Sequence, residues 1–94
     1  MAAPASRFDE LMARLRSEAS GCYSWSNGPG DRYAAHDHPY EKVLYCVDGS
    51  IDFVLEGSGK TIPLRAGDRM VLPARTVHSA VVGRDGCTCI EGRR

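Results

Sequence analysis

Three histidines are the residues of this 94-residue chain best placed to do chemistry. His36 and His38 are one residue apart at the end of a segment, Arg32 to His36, that reads as a β-strand. Strand side chains alternate between the two faces, so both imidazoles point to the same side. Two same-face imidazoles suit a divalent transition metal, and His78, far along the chain, is the natural third donor. The spacing alone leaves open a surface coincidence. The four cysteines offer a second possibility. Cys87 and Cys89 share a strand face and, with Cys22 or Cys46, would make a thiolate zinc site. A CxC pair lacks the usual two-to-four residue gap, however, and packing as buried free thiols is the preferred reading.

Those residues need a scaffold. Ser6 followed by Asp9 resembles a capping box with Asp in place of Glu, and Phe8, Leu11, Met12 and Leu15 repeat at helical spacing, which predicts one amphipathic helix from about Arg7 to Ala19. Its apolar stripe is expected to pack on the outside of the chain's own sheets. From Cys22 onward the period changes to two and turn signals recur, the pattern of an all-β sandwich or barrel. Eight short strands are predicted: Cys22 to Ser26, Arg32 to His36, Glu41 to Val47, Ser50 to Glu56, Lys60 to Leu64, Arg69 to Leu72, Val77 to Val82 and Cys87 to Ile90. Asp48-Gly49 reads as a two-residue hairpin, Gly83 to Gly86 as a further turn, and Pro63 as a mark of an edge or a bulge. Trp25 and Tyr23 are assigned to core or dimer packing, and Tyr40 to the turn after His38-Pro39.

Family-like spacing surrounds the histidines. Gly30, five residues, His36-Asp37-His38 and then Gly49 resemble the first sequence motif of the cupin superfamily. Gly67, five residues, Pro73 and then His78 resemble the second. The resemblance covers residues 30 to 82 and implies a small cupin of the RmlC-like kind: an all-β double-stranded β-helix, or jelly-roll barrel, with one N-terminal α-helix. Residues 1–5 would then be a flexible N-terminus, 6–20 the helix and 21–92 the barrel. It also implies a metal inside the barrel held by His36, His38 and His78.

Three positions depart from the cupin pattern. Lys42 stands where the first motif usually carries a metal-binding Glu, with Glu41 just before it; Arg75 stands in place of a Gly, and Val82 in place of an Asn. Strand alternation puts Lys42, Leu44 and Cys46 on one face and Glu41, Val43 and Tyr45 on the other, so Glu41 should point away unless a bulge turns it inward. An ammonium about 5 Å from a divalent ion at an effective dielectric near 20 is repelled by about 7 kcal/mol. Either Lys42 is neutral, or it swings toward a carboxylate, or an anionic ligand intervenes, or no metal binds.

Charge and composition narrow the partners. Twelve Lys plus Arg balance twelve Asp plus Glu, and only Arg93 and Arg94 stand together, which argues against nucleic acid. No apolar run approaches a membrane span, and the N-terminus lacks the apolar stretch of a secretory signal, so a cytoplasmic location is expected. Three-histidine cupins include thiol and diketone dioxygenases. By that resemblance the chain is expected to hold a divalent metal, iron(II) foremost with manganese, nickel or zinc as alternatives, and to act on a small anionic molecule, Lys42 serving as the catalytic group that holds a carboxylate or stabilises developing charge. The competing reading is a non-catalytic, even metal-free, small-ligand-binding or sensory cupin. A homodimer associating by sheet edges is expected.

Overall fold

The computed structural model describes residues 6–94, so the flexible terminus expected for residues 1–5 lies outside it. Helix α1 spans Arg7–Glu18, followed by strands β1 (Ser20–Asn27), β2 (Arg32–His36), β3 (Lys42–Leu55), β4 (Lys60–Arg65), β5 (Arg69–Leu72) and β6 (His78–Arg93). Ser6 caps α1 as the sequence predicts, its hydroxyl accepting the Asp9 amide at 3.1 Å. No helix among the described residues is long and apolar enough to cross a membrane.

The two long strands organise everything else. The first half of β3, residues 42–48, lies between β5 and the last part of β6, with β1 completing that layer on the far side of β6. The second half of β3 lies between β4 and residues 78–82 of β6, and β2 completes the other layer. All pairings are antiparallel, and the two four-stranded layers are the halves of a jelly roll. Eight strand segments therefore exist as expected, but two pairs of them are continuous. Asp48-Gly49 is not a hairpin and Gly83 to Gly86 is not a turn; both lie within strands, where the register shifts and the ribbon bends from one layer into the other. Gly49 has a φ of +73° and faces Gly86 so closely that a Cβ would sit 2.0 Å from the Gly86 carbonyl oxygen. Two signals that normally close hairpins serve here as a bend, because only glycine fits two backbones this close. Pro63 sits on the edge strand β4, where a missing N–H costs nothing.

Burial divides along the same lines. Leu44, Cys46, Met70, Cys89, Ile51, Phe53, Leu64, Ala80 and Val82 fill the space between the layers. Alternate residues Val43, Tyr45, Val47 and Ile90 face outward and are covered by Leu11, Met12 and Leu15 of α1. The helix thus packs on the chain's own sheet. Arg69 and Tyr45 both donate to Glu18 at the end of α1, fastening its C-terminus to the layer below.

Candidate metal centre and ligand cavity

The jelly roll brings the three histidines together at one end of the space between its layers. His36 ends β2, His38 follows it, and His78 begins β6; His36 and His78 are direct cross-strand partners. Ring centroids are 4.4 Å apart for His36 and His78, 4.9 Å for His36 and His38, and 5.3 Å for His38 and His78. Among the described residues these three are the group of metal-ligating donors close enough to share one ion, their candidate atoms all lying within 4.8 Å of one another.

Their hydrogen bonding sets the tautomers. His36 Nδ1 lies 2.6 Å from the Ala34 carbonyl oxygen and His78 Nδ1 lies 2.8 Å from that of Thr76. A carbonyl only accepts, so each Nδ1 carries the proton and each Nε2 keeps a free lone pair. The Nε2 atoms of His38 and His78 are buried and have no hydrogen-bond partner. Burial lowers the pKa of both imidazoles, and Lys42 and the neighbouring rings lower them further. Buried, neutral, unpartnered imidazole nitrogens in a cluster are the donor set a divalent transition metal requires, and the residues therefore fit one.

The histidines border a cavity of about 300 Å³, lined also by Tyr23, Trp25, Tyr33, Lys42, Phe53 and Glu91. Lys42 points into it, as the alternation predicts. Its Nζ lies 3.3 Å from Glu91 Oε2, with the side chains only 8% and 6% exposed. The other oxygen of Glu91 accepts from Trp25 Nε1 at 2.7 Å. Of the ways in which Lys42 can be accommodated, the structure displays a carboxylate partner. Glu41 takes no part: it is paired with Arg94 at the surface. Tyr23, at the mouth, has its pKa pushed up to about 12 by burial and by the Glu91 carboxylate.

Two assignments change. Trp25 and Tyr23 were expected to serve packing; Trp25 does pack on the inner cluster, but both line the cavity. Glu91 was overlooked because the last strand was expected to end at Ile90. Extending the alternation from Cys87 through Cys89 by one step places Glu91 on the inner face. The thiols form no metal group among the described residues: Cys46, Cys87 and Cys89 lie in the inner core, whereas Cys22 packs on the outer side toward α1.

Among the described residues Arg75 is the non-glycine residue with positive φ, at +65°, and it stands where the second motif usually has Gly. Its amide donates to the His38 carbonyl at 2.7 Å, joining the two histidine-bearing segments. Tyr40 stacks on His38 with centroids 5.1 Å apart, and Arg93 covers Tyr40 at 4.5 Å.

Residues 25–89 match the cupin domain family Cupin_2, and the chain belongs to that family. Curated relatives include a 3-hydroxyanthranilate 3,4-dioxygenase of Cupriavidus pinatubonensis, 37% identical over 54 residues that make up 55% of this chain and 29% of that protein. A quercetin 2,3-dioxygenase of Bacillus subtilis is 41% identical over 56 residues, 57% of this chain and 16% of that protein. The chain thus spans less than a third of either. Among solved structures, an RmlC-like cupin from Shewanella frigidimarina superimposes with a TM-score of 0.67 at 25% identity, covering 77% of this chain and 62% of that one. The fold is the cupin double-stranded β-helix.

Proposed function

We propose that this chain is a metal-dependent cupin whose His36, His38 and His78 hold a divalent transition metal, iron(II) foremost, and that it acts on a small anionic molecule in the manner of a dioxygenase. The observation that carries the reading is the pair of buried, unpartnered Nε2 atoms of His38 and His78 inside the three-histidine cluster. The partial likeness to two dioxygenases supports the reaction class. Three neutral ligands leave a divalent ion its full charge, which supplies Lewis acidity and, for iron(II), reactivity toward dioxygen. The protein's own share is to orient the imidazoles through the Ala34 and Thr76 carbonyls, to pair Lys42 with Glu91, and to enclose the reacting molecule within aromatic walls.

A second reading, a non-catalytic and metal-free ligand-binding cupin, is favoured by one observation: a buried ammonium stands where an acidic ligand is usual. Elemental analysis of protein purified without a nickel or cobalt column separates the two. Stoichiometric metal that disappears in His38→Ala supports the metal centre. An empty wild type that fills on Lys42→Glu shows that Lys42 displaces the metal. Where metal is found, oxygen uptake after anaerobic iron reconstitution, with thiols, diketones and hydroxylated aromatic acids as candidates, tests the reaction class.

A further inference from the structure

The two layers bring different chemistry to the cavity. Tyr33, His36, Phe53 and His78 belong to the layer of β2 and β4. Trp25, Lys42 and Glu91 belong to the layer of β1 and β5. The second set is a chain of contacts, from Trp25 Nε1 to Glu91 Oε1 at 2.7 Å and from Glu91 Oε2 to Lys42 Nζ at 3.3 Å. Both carboxylate oxygens thus face donors. The ammonium, in contrast, makes its ion pair with Glu91 and no hydrogen bond among the described residues, although the Lys42 side chain is only 8% exposed. A buried group with three N–H donors so loosely paired has bonding capacity left for the cavity beside it.

We infer that Lys42, oriented by Glu91 and Trp25, forms an anion subsite across from the histidines, and that the cavity takes a planar acid of about one ring, its carboxylate on Lys42 and its ring among Trp25, Tyr33 and Phe53. The inference rests on the cavity being the ligand site proposed above, but not on a metal being bound there. Size limits the ligand: about 300 Å³ stands at the lower end of small-molecule sites. The walls set its shape, because Trp25 and Tyr33 meet edge to face at 5.6 Å and Phe53 lies 6.1 Å from His78, so the cavity offers flat apolar surfaces. Charge selects its head group. A ligand cation would meet Lys42, and Glu91 already has its charge balanced by that ammonium and a donor on each oxygen. An acid meets an ammonium held in a largely enclosed wall, where a charge-assisted hydrogen bond is stronger than in bulk water. Glu91 holds Lys42 in place, but it also competes with the incoming acid for the same charge.

The test uses the metal-stripped 94-residue chain titrated with benzoate, benzamide and benzylamine, followed by the fluorescence of Trp25, the chain's one tryptophan, and by calorimetry. Benzoate should bind at least tenfold more tightly than benzamide, and benzylamine should not bind. Glu91→Gln, whose amide oxygen still accepts from Trp25, should tighten benzoate several-fold by removing the competitor. Lys42→Met combined with Glu91→Gln, which leaves no bare charge and should keep the native circular dichroism, should bring benzoate and benzamide to within twofold of each other. Equal or undetectable binding of benzoate and benzamide to wild type, or discrimination that survives in the double variant, overturns the subsite. Metal content measured on untreated portions of the same preparations reports on the metal centre separately, so either idea fails without the other.

Discussion

Replacing Lys42 by Met removes one half of a buried ion pair, and the size of the penalty follows from what is left behind. Met fills nearly the same volume, so the loss is electrostatic rather than steric. Glu91, 6% exposed, keeps its bond from Trp25 Nε1 but loses its counter-charge at 3.3 Å. An uncompensated buried charge of this kind costs about 3–5 kcal/mol, a large part of the ~5–15 kcal/mol that stabilises a domain. For a chain of this length that corresponds to a fall in Tm of roughly 15–30 °C. Lys42→Met with Glu91→Gln removes both charges and should recover most of the loss, since replacing a buried pair by uncharged groups is often neutral. Urea unfolding at pH 7 of wild type, both single variants and the double variant gives the coupling energy directly. A single-variant loss below about 1 kcal/mol, or a double variant no more stable than Lys42→Met, would refute the buried pair and with it the electrostatic argument built on it.

Three further outcomes are expected. Arg75→Gly should stabilise the protein by about 1 kcal/mol, seen as a higher urea midpoint at unchanged slope, because it relieves a residue at φ +65° while keeping the amide that bonds His38. Gly49→Ala should prevent folding or cost more than about 3 kcal/mol, because its methyl would collide with the Gly86 carbonyl; a folded variant with wild-type Tm would contradict the bend. Glu18→Gln should cost about 0.5–1 kcal/mol at neutral pH. Burial pushes Glu18 up, but hydrogen bonds from Arg69 and Tyr45 outweigh it and hold its pKa below the usual 4.5, so its stabilisation is present above that pH and is lost as the pH falls through the lowered native value. The gap between wild type and variant should therefore close on acidification, and a gap of constant size would count against the α1 anchor.

The legible parts of the chain were those in which a local rule and the tertiary demand coincide. Helix α1 announces itself by its cap and stripe, and the inner and outer faces of β3 follow from simple alternation, which places Lys42 on the face opposite Glu41. The histidines were readable because their spacing fits a strand and their surroundings fit a family motif. Asp48-Gly49 misleads because a glycine at positive φ serves a hairpin and a bend between layers equally well, and the choice is made by Gly86, far away in sequence. Glu91 was hidden for a similar reason. Its role depends on Lys42 and Trp25, each on a different strand, and a carboxylate near the end of a chain ordinarily reads as solvent-exposed.

The exchange at position 42 bears on function beyond the loss of one ligand. An acid there would give the site a negative charge of its own and would partly neutralise a bound divalent ion. Lys42 and Glu91, 3.3 Å apart, are opposite charges, so together their wall contributes no net charge to the cavity. For the divalent ion proposed at the histidines, neutralisation would then come from whatever enters the cavity. The substitution that removes an acidic ligand thereby raises the demand for an anionic one, and the same Lys42 supplies the place where its second negative end can rest. A site of this kind should prefer molecules that carry two acidic functions on one flat frame over those with a single chelating group, and the preference should weaken when Glu91→Gln leaves Lys42 uncompensated and strengthens the pull on any single anion. Competition binding with isophthalate, whose two carboxylates are too far apart to chelate one ion, against benzoate, in metal-loaded and metal-stripped protein, measures this directly: an isophthalate advantage that appears only with metal fits the argument, and an advantage of equal size in both states refutes it.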